Sequence, residues 1–234
     1  MGEEGLLQAI LVANVALFVL SLLVDLRHTG FSGNPFSFLA PSNTSLLVLG
    51  STGTVPLFHY GRWWSLVSAS YLHGGLLHLV FNMIALHQLG PLLLREYGSG
   101  RLIIIYTVSG FGGFLISALF GVPFTIGASA AICGMIGAAL YFGKSRGGVY
   151  GEAIYRQIGG WAVGIFLFGV LVPGINNYGH VGGMLVGALA AYLLGYQDRS
   201  PATIGQKWFS MGCVLVTGLV LCWSVINGLF FLFR

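Results

Sequence analysis

A serine among small residues, Gly127-Ala128-Ser129-Ala130-Ala131, and four nitrogen-bearing side chains, His73, His78, Asn82 and His180, form the set whose types suit covalent chemistry. A serine hydroxyl becomes a nucleophile when a positioned base takes its proton, and neutral histidine is the usual base near neutral pH. Ser129 and His180 can fill those two roles. No acid is available as a third member, so the unit would be a Ser–His dyad, with Asn177 or a backbone carbonyl left to orient the imidazole. A developing oxyanion needs hydrogen-bond donors. The Ser129 backbone N–H is one if it lies in a first helical turn, where N–H groups lack intrahelical partners. His78 and Asn82, four apart and so on one helix face, offer two more. A serine among glycine and alanine is by itself ordinary packing material between membrane helices; its company distinguishes this one.

The same histidines raise a metal site as competing chemistry. His73, His78 and His180 could supply three nitrogens, yet His73 and His78 are five apart, there is no HExxH, and no carboxylate stands near to act as base. Glu3, Glu4, Asp25, Glu96, Glu152 and Asp198 all fall at span ends or in loops. That argues against a proton-relay carboxylate, a carboxylate-rich cation site or a di-metal glutamate cage. Neither a metal nor a cofactor is expected. Cys133, Cys213 and Cys222 lie in apolar segments without a CxxC pair and read as small apolar residues.

The elements that must position these groups are membrane helices. The chain is 56% hydrophobic and 7% charged, with 37 glycines, against about 25% charged residues in soluble domains. This is the composition of an all-α polytopic membrane protein. The basic residues sit one or two at a time in short loops, with no patch, which argues against a nucleic-acid surface. Met1-Gly2-Glu3-Glu4 lacks the basic start of a signal peptide, so the first apolar run reads as a retained helix. Seven spans are expected: Leu6–Leu26, Leu76–Leu94, Leu102–Phe120, Ile126–Phe142, Ile158–Val172, Val181–Tyr196 and Phe209–Phe233, of which the fourth to sixth are short.

With the N-terminus cytoplasmic, Arg95, Arg101, Lys144, Arg146, Arg156, Arg199 and Lys207 lie inside, against Arg27, Arg62 and Arg234 outside. That is the orientation the positive-inside rule favours. His73, His78, Asn82, Ser129 and His180 then all fall near the outer ends of the second, fourth and sixth helices. The long connection from Arg27 to Tyr71 carries Pro35, Pro41, Pro56 and the cluster Tyr60-Gly61-Arg62-Trp63-Trp64, and is expected to lie partly in the outer interface. Gly179, Gly183 and Gly187, at intervals of four, mark a face for close helix packing beside His180.

In combination these stretches resemble the rhomboid family of intramembrane serine proteases. The matching segments are His73-Gly-Gly-Leu-Leu-His78-Leu-Val-Phe-Asn82, Gly127-Ala-Ser129-Ala and Asn177-Tyr-Gly-His180-Val-Gly-Gly183, with Gly90-Pro91, Glu96-Tyr97-Gly98-Ser99 and Ser109-Gly110-Phe111-Gly112-Gly113 between them. The resemblance implies a six-helix bundle with an additional C-terminal seventh helix. Residues 1–62 hold the first helix and the start of the outer loop, 63–196 the catalytic core, and 197–234 a cytoplasmic linker and the extra helix. It implies Ser129 as nucleophile, His180 as base, His78, Asn82 and the Ser129 N–H on the oxyanion, and His73, Gly127 and Asn177 in support. The implied substrate is a transmembrane helix of another membrane protein in the lipid bilayer, reaching the site sideways near Trp161–Phe168, with small or helix-destabilising residues favoured. In a bacterium the membrane would be the plasma (inner) membrane, with the site on its extracytoplasmic side.

Four positions depart from the family pattern: Ala130 for the glycine after the serine, Trp64-Ser65 for a Trp-Arg pair with Arg62 displaced upstream, Leu94 for a glutamate, and Cys133 for an aromatic that packs on the histidine. The competing reading is a catalytically inactive rhomboid-like protein that binds transmembrane client helices. A transporter or channel is disfavoured by the missing intramembrane carboxylates and the absence of an inverted repeat.

Overall fold

A computed structural model describes residues 3–31 and 38–233. Pro35, Arg234 and the first two residues of the acidic start lie outside the described residues. The architecture is all-α: α1 (Glu3–Val24), α2 (Asn43–Leu49), α3 (Ser65–Ser68), α4 (Leu76–Leu119), α5 (Ser129–Arg146), α6 (Gly148–Leu171), α7 (Asn177–Leu194) and α8 (Ile204–Leu232). A short antiparallel pair, β1 (Gly30–Phe31) and β2 (Phe38–Ala40), follows α1.

Among the described residues, four helices, α1, α4, α6 and α8, are long and apolar enough to cross a membrane, and the protein is a multi-pass integral membrane protein. The second and third expected spans form one 44-residue run, α4, broken at Gly98, whose φ of 75° and ψ of 164° lie outside the helical region. Only a residue without Cβ takes that conformation at low cost, so the chain reverses there without a loop. The fifth span starts at Gly148, not Ile158: the first turns of α6 are polar but helical, and carry an exposed i,i+4 ion pair of Glu152 and Arg156 at 2.6 Å. The helices that begin at Ser129 and Asn177 are 18 residues each; Lys144, Ser145 and Arg146 in the last turn of α5, and Asn177 and His180 in the first turn of α7, keep them short of the apolar length of the other four.

Helix α5 is the buried centre, with every residue from Ala130 to Ala139 shielded. It packs between α7 and α4. A Cβ at Gly183 would run into the Ala130 carbonyl, one at Gly187 into the Gly134 carbonyl, and one at Gly137 into the Met184 carbonyl. The glycine stripe therefore lies on the α5–α7 contact, backbone against backbone.

The long connection between α1 and α4 is held by caps and cross-links. Ser42 caps α2 through the Ser45 N–H, and Gly50 closes it in the left-handed region at φ 98°. The Ser42 hydroxyl donates to Asp25 at 2.7 Å. The His28 bond, then that of Ser42, holds the Asp25 carboxyl below its ordinary pKa. Arg62 donates to the Leu47 carbonyl at 2.7 Å, so the displaced arginine anchors this loop, while Ser65 is buried. Helix α8 packs on α1, α2, α3 and α4: its buried Ser224 donates to the last carbonyl of α2, at Leu49, and Gly228 lies against Leu49 and Val24. At its start Arg101 donates to Gln206 and to the Ser200 carbonyl, and Gln206 donates to the Leu194 carbonyl.

The packing predicts opposite behaviour for two glycines. Gly187→Val should lower stability by about 1–3 kcal/mol or more through overpacking. Gly164→Ala, where a Cβ meets open space, should stay within about 0.5 kcal/mol of the parent. Thermal unfolding in detergent compares them; equal midpoints would contradict the backbone contact.

Candidate active site

The segment before α5 is clamped on both sides. Thr52 and Thr125 exchange backbone hydrogen bonds at 3.0 and 2.7 Å, and the Thr54 N–H reaches the Val122 carbonyl at 2.9 Å. Gly127 then turns with φ +124° while its N–H donates to the Ala69 carbonyl at 2.9 Å. This left-handed turn aims the chain into α5 so that Ser129 is its first residue. The first intrahelical bond runs from the Ile132 N–H to the Ala128 carbonyl, so the N–H groups of Ser129, Ala130 and Ala131 have no acceptor within the helix.

His180 sits in the first turn of α7, and its Nε2 lies 2.9 Å from the Ser129 Oγ. Both residues are half-buried. The His180 Nδ1 is buried with no hydrogen-bond partner among the described residues. From α4, the His78 Nδ1 accepts the Gly74 N–H at 3.3 Å, which leaves the ring proton on Nε2. A Cβ at Gly127 would lie 2.7 Å from the His78 Nε2 and 3.5 Å from the Ser129 Oγ. The missing side chain of Gly127 thus leaves a cradle between a donor nitrogen and a hydroxyl. The Asn82 Nδ2 donates to the His78 carbonyl at 2.8 Å, one turn back on its own helix, which leaves its second N–H. Buried His73 stands edge-on to His78, with ring centroids 5.0 Å apart.

The seven residues singled out by sequence separate into two groups. Ser129, His180, His78 and Gly127 converge on one point, with Asn82 one turn along α4 and His73 behind His78. Asn177 stands apart: its Oδ1 lies over Gly169 of α6 and has no hydrogen-bond partner among the described residues, so it does not orient the imidazole. The residue that sequence reasoning passed over is its neighbour, Asn176. The Asn176 Oδ1 accepts the Gly179 N–H at 3.0 Å as the N-cap of α7, and its Nδ2 donates to Ser117 at 2.6 Å and Thr125 at 2.9 Å. An asparagine immediately before a periodic run is an N-cap signal, and that signal was available. Phe120 and Tyr178, both exposed, stack at 5.0 Å and 12° on the rim.

Ala130 turns its methyl into a second apolar cluster with Leu57, Leu66, Ala69, Phe114 and Ala118, and Cys133 and Leu94 are buried in the core. Among the described residues no group of three or more His, Cys, Asp or Glu side chains is arranged to hold a metal ion.

Gly127→Ala should destabilise the fold by about 1–3 kcal/mol, since alanine is strained at this φ and its methyl would displace the His78 ring. Thermal unfolding reads the first effect and the His78 ring NMR shifts the second; an unperturbed protein would contradict the cradle geometry.

Comparison with known proteins bears on the same segments. The Rhomboid domain family profile matches residues 60–197. Rhomboid protease GluP of Bacillus subtilis (strain 168) is 38% identical over 158 residues, which are 66% of this chain and 30% of that protein. RHOMBOID-like protein 4 of Arabidopsis thaliana is 32% identical over 206 residues, 81% of this chain and 52% of the relative. RHOMBOID-like protein 6, mitochondrial, of the same plant is 31% identical over 213 residues, 82% of this chain and 69% of the relative. The chain thus spans about a third of the length of the first of these relatives and half of the second. With a family match over more than half its residues, on the segments that bring Ser129 and His180 together, the chain belongs to the rhomboid family.

Proposed function

We propose that the protein is an intramembrane serine endopeptidase that cleaves transmembrane segments of other membrane proteins through a Ser129–His180 dyad. The observation that carries this reading is the 2.9 Å approach of the His180 Nε2 to the Ser129 Oγ. The Oγ attacks the scissile carbonyl carbon while its proton passes to Nε2. The carbonyl oxygen, now negative, occupies the cradle over Gly127. There the Nε2–H of His78 and the Ser129 N–H face it, and the free N–H of Asn82 is the third donor. His180 returns the proton to the leaving amine, and water then hydrolyses the acyl-enzyme with His180 again as base. His73 backs the His78 ring. None of these steps needs a metal or a cofactor.

The exposure of α6 supports a transmembrane helix as the substrate class. Helix α6 is the least buried of the long helices, and a cavity of about 460 Å³ between it and the first half of α4, walled by Gln88, Leu92, Tyr150, Gln157 and Trp161, lies toward the end of the bundle away from Ser129. A transmembrane helix of a substrate approaching between α4 and α6 reaches Ser129 after local unwinding, which favours small or helix-destabilising residues near the cut. Orientation follows from charge. Arg146 pairs with Asp198, and Arg199 reaches Tyr141 and Ser145, at the end of α5 about 25 Å from Ser129 at 1.5 Å per residue. By the positive-inside rule that end is cytoplasmic and the dyad extracytoplasmic, with residues 63–196 as the catalytic core and 197–234 as linker and added helix. In a bacterium the membrane is the plasma (inner) membrane.

A second reading, a non-catalytic protein that binds transmembrane clients, is favoured by one observation: the His180 Nδ1 has no acceptor among the described residues to fix its tautomer. A fluorescent fluorophosphonate separates the two. Wild-type protein in detergent should label, and Ser129→Ala and His180→Ala should not. Absence of wild-type labelling in folded protein would leave the client-binding reading.

The same label gives the pH dependence. Protonated His180 cannot take the Ser129 proton, so labelling is present at neutral pH and lost on acidification through the imidazole range. A rate that stays flat from neutral pH down to the onset of acid unfolding would remove His180 as base.

A further inference from the structure

Resting on the serine-protease reading, we propose that Asn176 is the positioning residue of the dyad, the strut that fixes the spacing of the Ser129 and His180 backbones. Its side chain joins the segments that carry them. The Oδ1 takes the Gly179 N–H at 3.0 Å and so sets the first turn of α7, and the Asn176 main-chain carbonyl accepts the His180 N–H at 3.1 Å. On the other side its two amide hydrogens go to Ser117, fully buried at the end of α4, at 2.6 Å, and to Thr125, in the segment leading to α5, at 2.9 Å. Thr125 is in turn clamped to Thr52 of the outer loop by two backbone hydrogen bonds.

The arrangement is symmetric in sequence. Asn176 precedes His180 by four residues and Thr125 precedes Ser129 by four. The strut therefore crosses one turn upstream of both reacting side chains. The glycine contacts hold α5 against α7 along their length, but two helices in backbone contact can still slide along their axes. The bonds to Thr125 and Ser117 oppose that slide, because they tie the start of α7 to segments that do not belong to its own helix. The imidazole needs such a constraint: its Nδ1 is held by no partner among the described residues, so the ring is placed by the backbone that carries it. A displacement on the ångström scale at a reacting pair costs on the order of 100-fold in rate.

The donors and the cap are separable by substitution. Asn176→Ser keeps an N-capping hydroxyl but is too short to reach Ser117 and Thr125. The pair Ser117→Ala with Thr125→Val leaves Asn176 and its cap and removes both acceptors. Asn176→Asp keeps the cap, and both hydroxyls can turn to donate to the carboxylate. Each protein is labelled with fluorophosphonate over time, and rate and final labelled fraction are read separately. Loss of folded protein lowers the final fraction; loss of positioning lowers the rate at full final fraction.

The expected result is a rate about 10- to 100-fold lower in Asn176→Ser and in the Ser117/Thr125 pair, with the wild-type final fraction. Combining the two sets should give no further loss, since they break the same strut, and Asn176→Asp should recover most of the rate. Wild-type rates in Asn176→Ser or in the pair, additive losses, or a fall confined to the final fraction would overturn the positioning role while wild-type labelling and its loss in Ser129→Ala left the protease reading standing. Failure of the wild type to label would overturn both.

Discussion

Everything at the candidate site depends on how closely the backbones of α5 and α7 approach. Lipid chains are as apolar as leucine, so no hydrophobic drive brings two membrane helices together, and the gain must come from dispersion between closely fitted surfaces. Gly183 and Gly187 remove the side chains that would hold α7 off the Ala130 and Gly134 carbonyls, and Gly137 does the same for α5 against Met184. Ser129 and His180 project from the first turns of these two helices. A serine and a histidine are short side chains, and a 2.9 Å approach between them is available only to backbones already in contact.

The second constraint is the cost of polar groups in an apolar surrounding, which decides where such a pair can stand. Helix starts leave N–H groups unspent, and both α5 and α7 begin at the same end of the bundle. One helix start thus offers a backbone donor at the proposed nucleophile, and the other, capped by Asn176, presents the proposed base. The same end receives the connection between α1 and α4, whose Ala69 carbonyl takes the Gly127 N–H and whose Thr52 pairs with Thr125. Helix α8 reaches this loop from behind through Ser224 and the Leu49 carbonyl. The added helix therefore belongs to the scaffold of the loop and not to the cradle itself.

The bundle and most of the site were legible in the sequence because their signals are local. An apolar run is a helix wherever it lies, a four-residue glycine interval is a packing face, and His78 and Asn82 share a face by geometry alone. What escaped depends on hydrogen bonds between distant segments. Asn176 and Asn177 are adjacent and identical in type, and only the positions of Ser117 and Thr125 decide which one is the tie. The shortness of the link at Gly98 was equally hidden: the two apolar runs of α4 are legible as separate helices, but that they meet at a single non-helical glycine follows from the packing of both halves. The early start of α6 was missed because hydropathy marks where a helix meets lipid, not where it begins.

The departures from the family pattern can be weighed by the same packing. An added methyl at Ala130 would matter to the oxyanion cradle if it pointed toward Gly127. It joins Leu57, Leu66 and Ala69 of the connection between α1 and α4, so it adds apolar contact to the wall that holds Gly127 in place. Cys133 is a different case. Its small thiol is buried in the core of α5, and the His180 Nδ1 has no hydrogen-bond partner among the described residues, so the placement of the ring rests on the backbone that carries it. That dependence falls on the first turn of α7, and through it on Asn176 and its two hydroxyl partners. The side-chain bonds of Asn176 to Ser117, Thr125 and the Gly179 N–H supply a constraint at that helix start.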